Sequence, residues 1–257
     1  MKGSLFSAKG LSKRFGGVQA VDNVDLTIDE GQVIGLIGPN GAGKTTCFNL
    51  ITGLYTPDSG QFNFQGKDYR PKSPNEVARM GIARTFQNIR LFNSMTALEN
   101  VCVGMHCRTR QGVLGAVLRT PGQRSEEARI EKKALALLHY VGIGQYSNHL
   151  AAQLSYGDQR RLEIARALAS EPKVLALDEP AAGMNATEKL KLRELLLQIR
   201  KDNIAILLIE HDVKLVMGIC DQVTVLDYGK VIEQGTPAHV QQSPAVIEAY
   251  LGGLHHG

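Results

Sequence analysis

The eight residues GPNGAGKT at 38–45, entered from the apolar run VIGLI, leave this chain few folds to choose from. The spacing G-x-x-x-x-G-K-[ST] needs a strand, a glycine-rich turn and a helix that opens at the lysine. Such a turn gathers backbone N–H groups around one point, and the helix adds the positive end of its dipole. Gly38, Gly41 and Gly43 let the backbone curl, with Pro39, Asn40 and Ala42 between them and Thr46 after them. Lys44 brings a point charge toward the β- and γ-phosphates of a nucleotide, and the Thr45 hydroxyl is a ligand for Mg²⁺. ATP and Mg²⁺ are therefore the expected ligands.

The rest of the chain fits an α/β P-loop fold. VDNVDLTI alternates like a half-buried strand, TPDSGQFNFQG reads as a turn and a short strand, and residues 97–141 carry helical patterns. From 159 the order is helix, strand KVLALD, helix ATEKLKLRELLLQIRK, strand IAILLIE, helix VKLVMGI and strand QVTVLD. Strands alternating with helices imply a mostly parallel sheet with right-handed crossovers, interrupted by a helical insertion.

Bulk properties narrow the partners. The net charge is +4 over 257 residues, and the basic residues are spread out, so no nucleic-acid patch is expected. RTRQGVLGAVLRTPGQRSEEAR (108–129) is more basic and reads as a solvated surface insertion. No run approaches the roughly 18 apolar residues of a membrane span, and MKGSLFSAKG lacks a signal-peptide apolar region, so a cytosolic chain is expected. Cys47, Cys102, Cys107 and Cys220 have no metal-ligand spacing and read as reduced thiols. Cys47 sits where a helix start can lower a thiol pKa, but a buried small hydrophobe is the favoured reading.

Phosphoryl chemistry also needs a metal-side carboxylate and a group that positions water. VLALDEP supplies a buried strand ending in Asp178, next to the metal, and then Glu179, placed to polarise the water. Gln87 in RTFQNIRLF and His211 in LLIEHD follow two further strands, within reach of Mg²⁺ and the γ-phosphate. QLSYGDQRRLEIARAL (153–168) adds a second anion-binding helix start, with Ser155 before an amphipathic helix.

This set of motifs resembles the ATP-binding cassette (ABC) family along nearly the whole chain. The resemblance implies an ABC nucleotide-binding domain with a mostly parallel core, an antiparallel β part and an inserted helical subdomain. The core would take residues 1–86 and 160–257, and the helical signature subdomain 87–159. Two such domains pack head to tail, so Ser155, Tyr156, Gly157 and Asp158 would cap the partner's ATP, with Ser155 and Gly157 at its γ-phosphate. By the same resemblance Phe15 would stack on adenine, Gln87, Glu179 and His211 would be catalytic, and Thr45, Gln87 and Asp178 would attend the metal. Tyr156 and Asp158 depart from the family's usual glycine and glutamine, and Asn185 stands where an Asp is usual. An Asp beside a γ-phosphate is repulsive, so its carboxylate is expected to point away from the nucleotide.

GGVQAVDNV, RTFQNIRLFNSMTALENV and LLIEHDVKLVMGICDQV, with the insertion near 105–130, further resemble the ATPases of branched-chain amino-acid importers. That implies permease subunits, a related second ATPase or a second copy as dimer partner, an indirect periplasmic binding protein, and a peripheral place on the cytoplasmic face of the inner membrane. The alternatives are a lipopolysaccharide-type exporter ATPase or a non-transport ABC ATPase. Ile89, Leu91 and Phe92 are expected either to form an exposed apolar patch for the membrane subunits or to belong to the core of the helical subdomain.

Overall fold

The computed structural model describes residues 4–105 and 121–252, so Cys107 and the first part of the basic stretch lie outside it. Two sheets carry the chain. One is antiparallel, in the order β2-β1-β4-β5, from β1 (Phe6–Phe15), β2 (Val18–Ile28), β4 (Ser59–Phe64) and β5 (Lys67–Tyr69). The other has six strands in the order β10-β9-β3-β8-β7-β6, from β3 (Val33–Ile37), β6 (Ile82–Arg84), β7 (Val174–Asp178), β8 (Ala205–Ile209), β9 (Gln222–Asp227) and β10 (Lys230–Gly235). Within it β9, β3, β8, β7 and β6 are parallel, and β10 closes the edge antiparallel to β9.

The parallel strands are buried on both faces, so their sequences are continuous apolar runs whose alternate residues enter two different cores. Val174 and Ala176 of β7, with Ala205, Leu207 and Ile209 of β8, meet Phe48, Ile51 and the antiparallel sheet. Leu175 and Leu177, with Ile206 and Leu208, meet the helices of the opposite layer. The antiparallel sheet thus covers one face, together with α1 (Lys44–Ile51). Helices α6 (Ala186–Lys201) and α7 (Val213–Ile219) cover the other, as do parts of the helical region.

Among the described residues, the region between β6 and β7 is mainly helical, as its sequence pattern predicts: α3 (Ala97–Met105), α4 (Pro121–Tyr140), two short 3₁₀ turns and α5 (Tyr156–Leu168). Val101, Ala134, Leu138, Leu162 and Ala165 are each fully or almost fully buried where these helices meet. Helix α5 starts at Tyr156, three residues before the start expected at 159, because Ser155 caps it. Helix α1 stops at Ile51, and Gly53 turns the chain with φ 75°. Helix α2 (Pro74–Met80) and the C-terminal α8 (Pro237–Gln242) and α9 (Pro244–Gly252) complete the described residues. Cys47 is fully buried, and burial pushes its thiol up to about 12, so the helix start does not activate it.

Candidate nucleotide site and signature helix

The glycine loop joins β3 to α1 over the carboxyl edge of the parallel sheet. Its glycines are steric necessities at two positions. A Cβ on Gly38 (φ 147°) would lie 2.0 Å from the Leu226 carbonyl, and one on Gly43 (φ 98°) would lie 2.3 Å from the Ala20 carbonyl. The neighbouring turn is bolted to the loop by Gly229 N–H donating to the Ala42 carbonyl at 3.0 Å. Beside it opens a cleft of about 280 Å³ lined by Val18, Ala20, Gly43, Lys44, Thr45 and Tyr228, among others.

Lys44 is buried, and its Nζ donates to the carbonyls of Gly38 and Pro39, both at 2.8 Å. The ammonium is therefore folded into its own loop, within reach of whatever anion the N–H groups attract. Burial lowers its pKa, and the charges of Glu179 and Asp178 oppose that shift. Phe15 ends β1 opposite Val18, 44% exposed, with its ring edge-on to Tyr55 at 5.3 Å. It is not a core aromatic, and it stands beside the cleft rather than in its lining.

Asp178 closes β7 and is 3% exposed. Its Oδ1 is buried without a hydrogen-bond partner, which leaves a carboxylate oxygen to be satisfied by a cation. Burial, reinforced by the Glu179 charge, pushes its pKa up to about 6; the Arg84, Arg160 and His211 charges oppose this. With the Thr45 hydroxyl exposed on the facing helix, the donor set is hard oxygen, the kind Mg²⁺ takes. The residues present fit both ATP phosphates and Mg²⁺.

Three residues from three loops converge on the next position. Glu179 Oε2 accepts from Gln87 Nε2 at 3.1 Å, and its Oε1 lies 2.7 Å from His211 Nε2. Those partners stand 92 and 32 residues away along the chain. Glu179 itself holds a left-handed φ of 47°, a costly state for a side-chain-bearing residue, and its N–H donates to the Ile209 carbonyl at 2.9 Å. Glu210, 4% exposed, holds the same corner: its carboxylate accepts from the N–H groups of Ala181 (2.7 Å), His211 (3.1 Å) and Asp212 (3.3 Å).

The signature segment lies apart from that cleft. Ser155 Oγ donates to Asp158 Oδ2 at 2.7 Å, and the Asp158 N–H approaches Oγ at 3.2 Å. Asp158 also pairs with Arg161 at 3.4 Å, so its carboxylate is folded onto its own helix start. Gly157 is buried, and a Cβ there would lie 2.6 Å from Glu188 Oε1. Asn185 and Glu188 form a reciprocal capping box at the start of α6, a structural use for the asparagine. The ring of Tyr156 lies against Gly183, and its hydroxyl accepts from Arg160 Nη2 at 3.1 Å.

Sequence reasoning singled out none of Arg160, Glu163, Glu210 or Tyr250. The last, on α9, meets the Gly38 backbone through its phenol. Two full charges on the inward face of an amphipathic helix, RRLEIAR, are the signal that was available.

The geometry agrees with known proteins. The family model described as ABC transporter matches residues 21–182, and one described as branched-chain amino acid ATP-binding cassette transporter matches 230–256. The high-affinity branched-chain amino acid transport ATP-binding protein LivG of Escherichia coli (strain K12) is 45% identical, covering 98% of this chain and 99% of that one. BraF of Pseudomonas aeruginosa, of the same description, is 44% identical with the same coverage. A nucleotide-free ATP-binding cassette from an ABC transporter superposes with TM-score 0.84 at 31% identity, covering 96% of this chain and 98% of that one. A dimeric cassette bound to ADP and Pi superposes with TM-score 0.75 at 26% identity, covering 90% and 98%. This chain belongs to the ABC transporter family, as one of its ATP-binding proteins, and it resembles the members that serve branched-chain amino acid transport.

Proposed function

We propose that this chain is the ATP-hydrolysing subunit of an importer for branched-chain or related amino acids, working through separate permease subunits. The observation that carries the hydrolytic part is the convergence of Gln87 and His211 on Glu179, beside the unpartnered oxygen of Asp178. The relatives' names support the cargo, and favour it over a lipopolysaccharide exporter or a non-transport ABC protein.

In this reading Lys44 leaves its loop carbonyls for the β- and γ-phosphates, while the N–H groups of 41–46 cradle the β-phosphate. Thr45, Asp178 and Gln87 would hold Mg²⁺, which would supply charge neutralisation on the phosphate oxygens. Glu179 takes the proton of the attacking water, and His211 holds that carboxylate in place from the other side. Phe15 offers a ring face for adenine. Ser155 and Gly157 act on the nucleotide of a second cassette, a related ATPase or another copy, packed head to tail.

The division into a core of 1–86 and 160–257 and a helical subdomain of 87–159 follows the same reading, with α5 spanning the second border. Between the two lies a groove of about 640 Å³ whose lining includes Arg84, Phe86, Leu91, Phe92 and Ala167. The three apolar residues singled out in the sequence divide between core and surface. Leu91 packs against the core, Ile89 is half-buried, and Phe92 is 45% exposed. We assign this groove to a cytoplasmic segment of the permease, with the chain peripheral to the membrane. No described helix is long and apolar enough to cross one.

The test is reconstitution. The chain, mixed with candidate permeases and a related ATPase in vesicles, is expected to drive leucine uptake that requires MgATP. Hydrolysis without uptake of any branched-chain amino acid would remove the cargo assignment and leave the ATPase.

A further inference from the structure

Helix α5 carries a buried ion pair that the hydrolytic roles above do not use. Arg160 and Glu163, one turn apart, keep 3% and 2% of their side chains exposed, with 3.3 Å between Nη1 and Oε2. Two charges taken out of water are costly, and their mutual attraction offsets that only when further hydrogen bonds satisfy both groups. Those bonds fall on the backbone that carries Gln87. Arg160 Nη1 donates to the Phe86 carbonyl at 2.7 Å, and its Nη2 donates to the Gln87 carbonyl. Glu163 Oε1 accepts from the N–H groups of Phe86 at 3.3 Å and Arg90 at 3.5 Å. A cation grips the carbonyls, and an anion grips the amides, of one turn at 86–90.

The same guanidinium donates to the Tyr156 hydroxyl, and the Tyr156 ring rests on Gly183. Three segments therefore meet at Arg160: the turn at 183, the start of the signature helix, and the Gln87 loop. The Gln87 side chain is exposed and reaches Glu179 by one hydrogen bond. The backbone of that loop is held by the buried pair, with the Arg84 and Arg90 guanidiniums against the Phe86 ring and Asn100 on the Phe92 backbone as further anchors.

We propose that Arg160 and Glu163 are a positioning clamp that holds the Gln87 loop to the signature helix, so that Gln87 meets Glu179 only when the helix is in its seated place. The clamp makes the signature helix, which faces a second cassette, report on the water-polarising carboxylate of its own chain. Backbone atoms are what it holds, so it tolerates change in loop side chains but not a change in the sign or span of its own groups. This rests on the ATPase reading above.

A double-mutant cycle tests it, since residues acting through one another are non-additive. Steady-state hydrolysis of MgATP is measured for the wild-type chain, Arg160→Met, Gln87→Ala and the double variant, each checked for folding by thermal unfolding. Arg160→Met is expected to lower kcat about tenfold or more with KM within about threefold. In the Gln87→Ala background the same change is expected to cost less than about twofold. Equal losses in both backgrounds, or wild-type kcat in a folded Arg160→Met chain, would overturn the clamp.

If Arg160→Met does not fold, Arg160→Lys replaces it. A single ammonium keeps the charge beside Glu163 but lacks the planar two-nitrogen fork that serves the Phe86 and Gln87 carbonyls, the Glu163 carboxylate and the Tyr156 hydroxyl together. It is expected to reproduce the kcat loss near the wild-type melting temperature, and full kcat in that variant overturns the proposal. Absent turnover in the wild type would instead fail the ATPase reading itself.

Discussion

The glycine loop and the signature helix are both anion-facing helix starts, yet they are prepared in opposite ways. The loop is locked by backbone sterics at Gly38 and Gly43, and its one cation, Lys44, is held on carbonyls that a phosphate can replace. The signature start is self-satisfied: the Ser155 hydroxyl is committed to Asp158, which is itself tied to Arg161. In the proposed reading the loop binds nucleotide on its own, and the signature start gives up internal hydrogen bonds before it touches a neighbour's phosphate. Nucleotide affinity should therefore reside in the loop, and closure of a second cassette should depend on the helix.

The largest expected effect is at the carboxylate beside the loop. Glu179→Gln keeps the shape but takes no proton, and turnover should fall ~10²–10⁴-fold with nucleotide binding retained. Lys44→Ala should instead weaken binding itself. Phosphate release and equilibrium nucleotide titration separate the two, and near wild-type release from the Gln variant would remove Glu179 from its role.

Next comes the signature. Ser155→Arg should leave ATP affinity in the chain's own loop unchanged while hydrolysis drops by about 10², the usual loss when a donor to transition-state charge is removed. Mixing it with Lys44→Ala, or running the same complementation with the related ATPase, should restore one composite site. Full-rate, concentration-independent hydrolysis by Ser155→Arg alone would make the second helix start an ordinary cap.

A smaller effect concerns stability and pH. Asp178 ionises near 6 in the folded chain rather than near the usual 3.8. The folded state thus favours the protonated acid, and its stability from this group declines as pH rises from about 4 to about 6. Asp178→Asn should stabilise the metal-free fold by about 1–3 kcal/mol at pH 7–8, a gain that vanishes below about pH 4. Mg²⁺ affinity of the wild type should weaken as pH falls through about 6. Melting curves across that range check both, and a pH-independent Asn gain would contradict them.

The smallest effect is at Asp158. Asp158→Gln frees the Ser155 hydroxyl, at a cost of about 0.5–1 kcal/mol from losing a carboxylate at the positive end of the helix dipole. Hydrolysis at low protein concentration should rise about two- to fivefold, since 1.4 kcal/mol is a factor of ten. A fall in rate would mean that the Asp158 contact prepares the serine rather than sequestering it.

These two regions also differ in how they can be read. The glycine-loop motif, the strand into Asp178 and the mostly parallel character of the sheet, though not its strand order, were legible because their signals are local. The glycine spacing and a doubly buried apolar run leave marks within eight consecutive residues. Strand β1 was not legible: Gly10 and shifts in register near Leu11 and Lys13 break its alternation. Whether Ile89 and Leu91 are patch or core was not legible either, because their cover comes from other parts of the chain.

The glycine-loop motif, the apolar strand into Asp178, the helical insertion and the family could be read from the chain alone. The fold brought Gln87 and His211 to Glu179, spent Ser155 on Asp158, and turned Arg160 and Glu163 inward onto the Gln87 loop. Motif spacing and apolar runs are written in consecutive residues, whereas the carbonyl that a Cβ on Gly38 would strike, a hydrogen bond across 92 residues or a buried charge pair exists only once the sheet has brought distant segments to one edge.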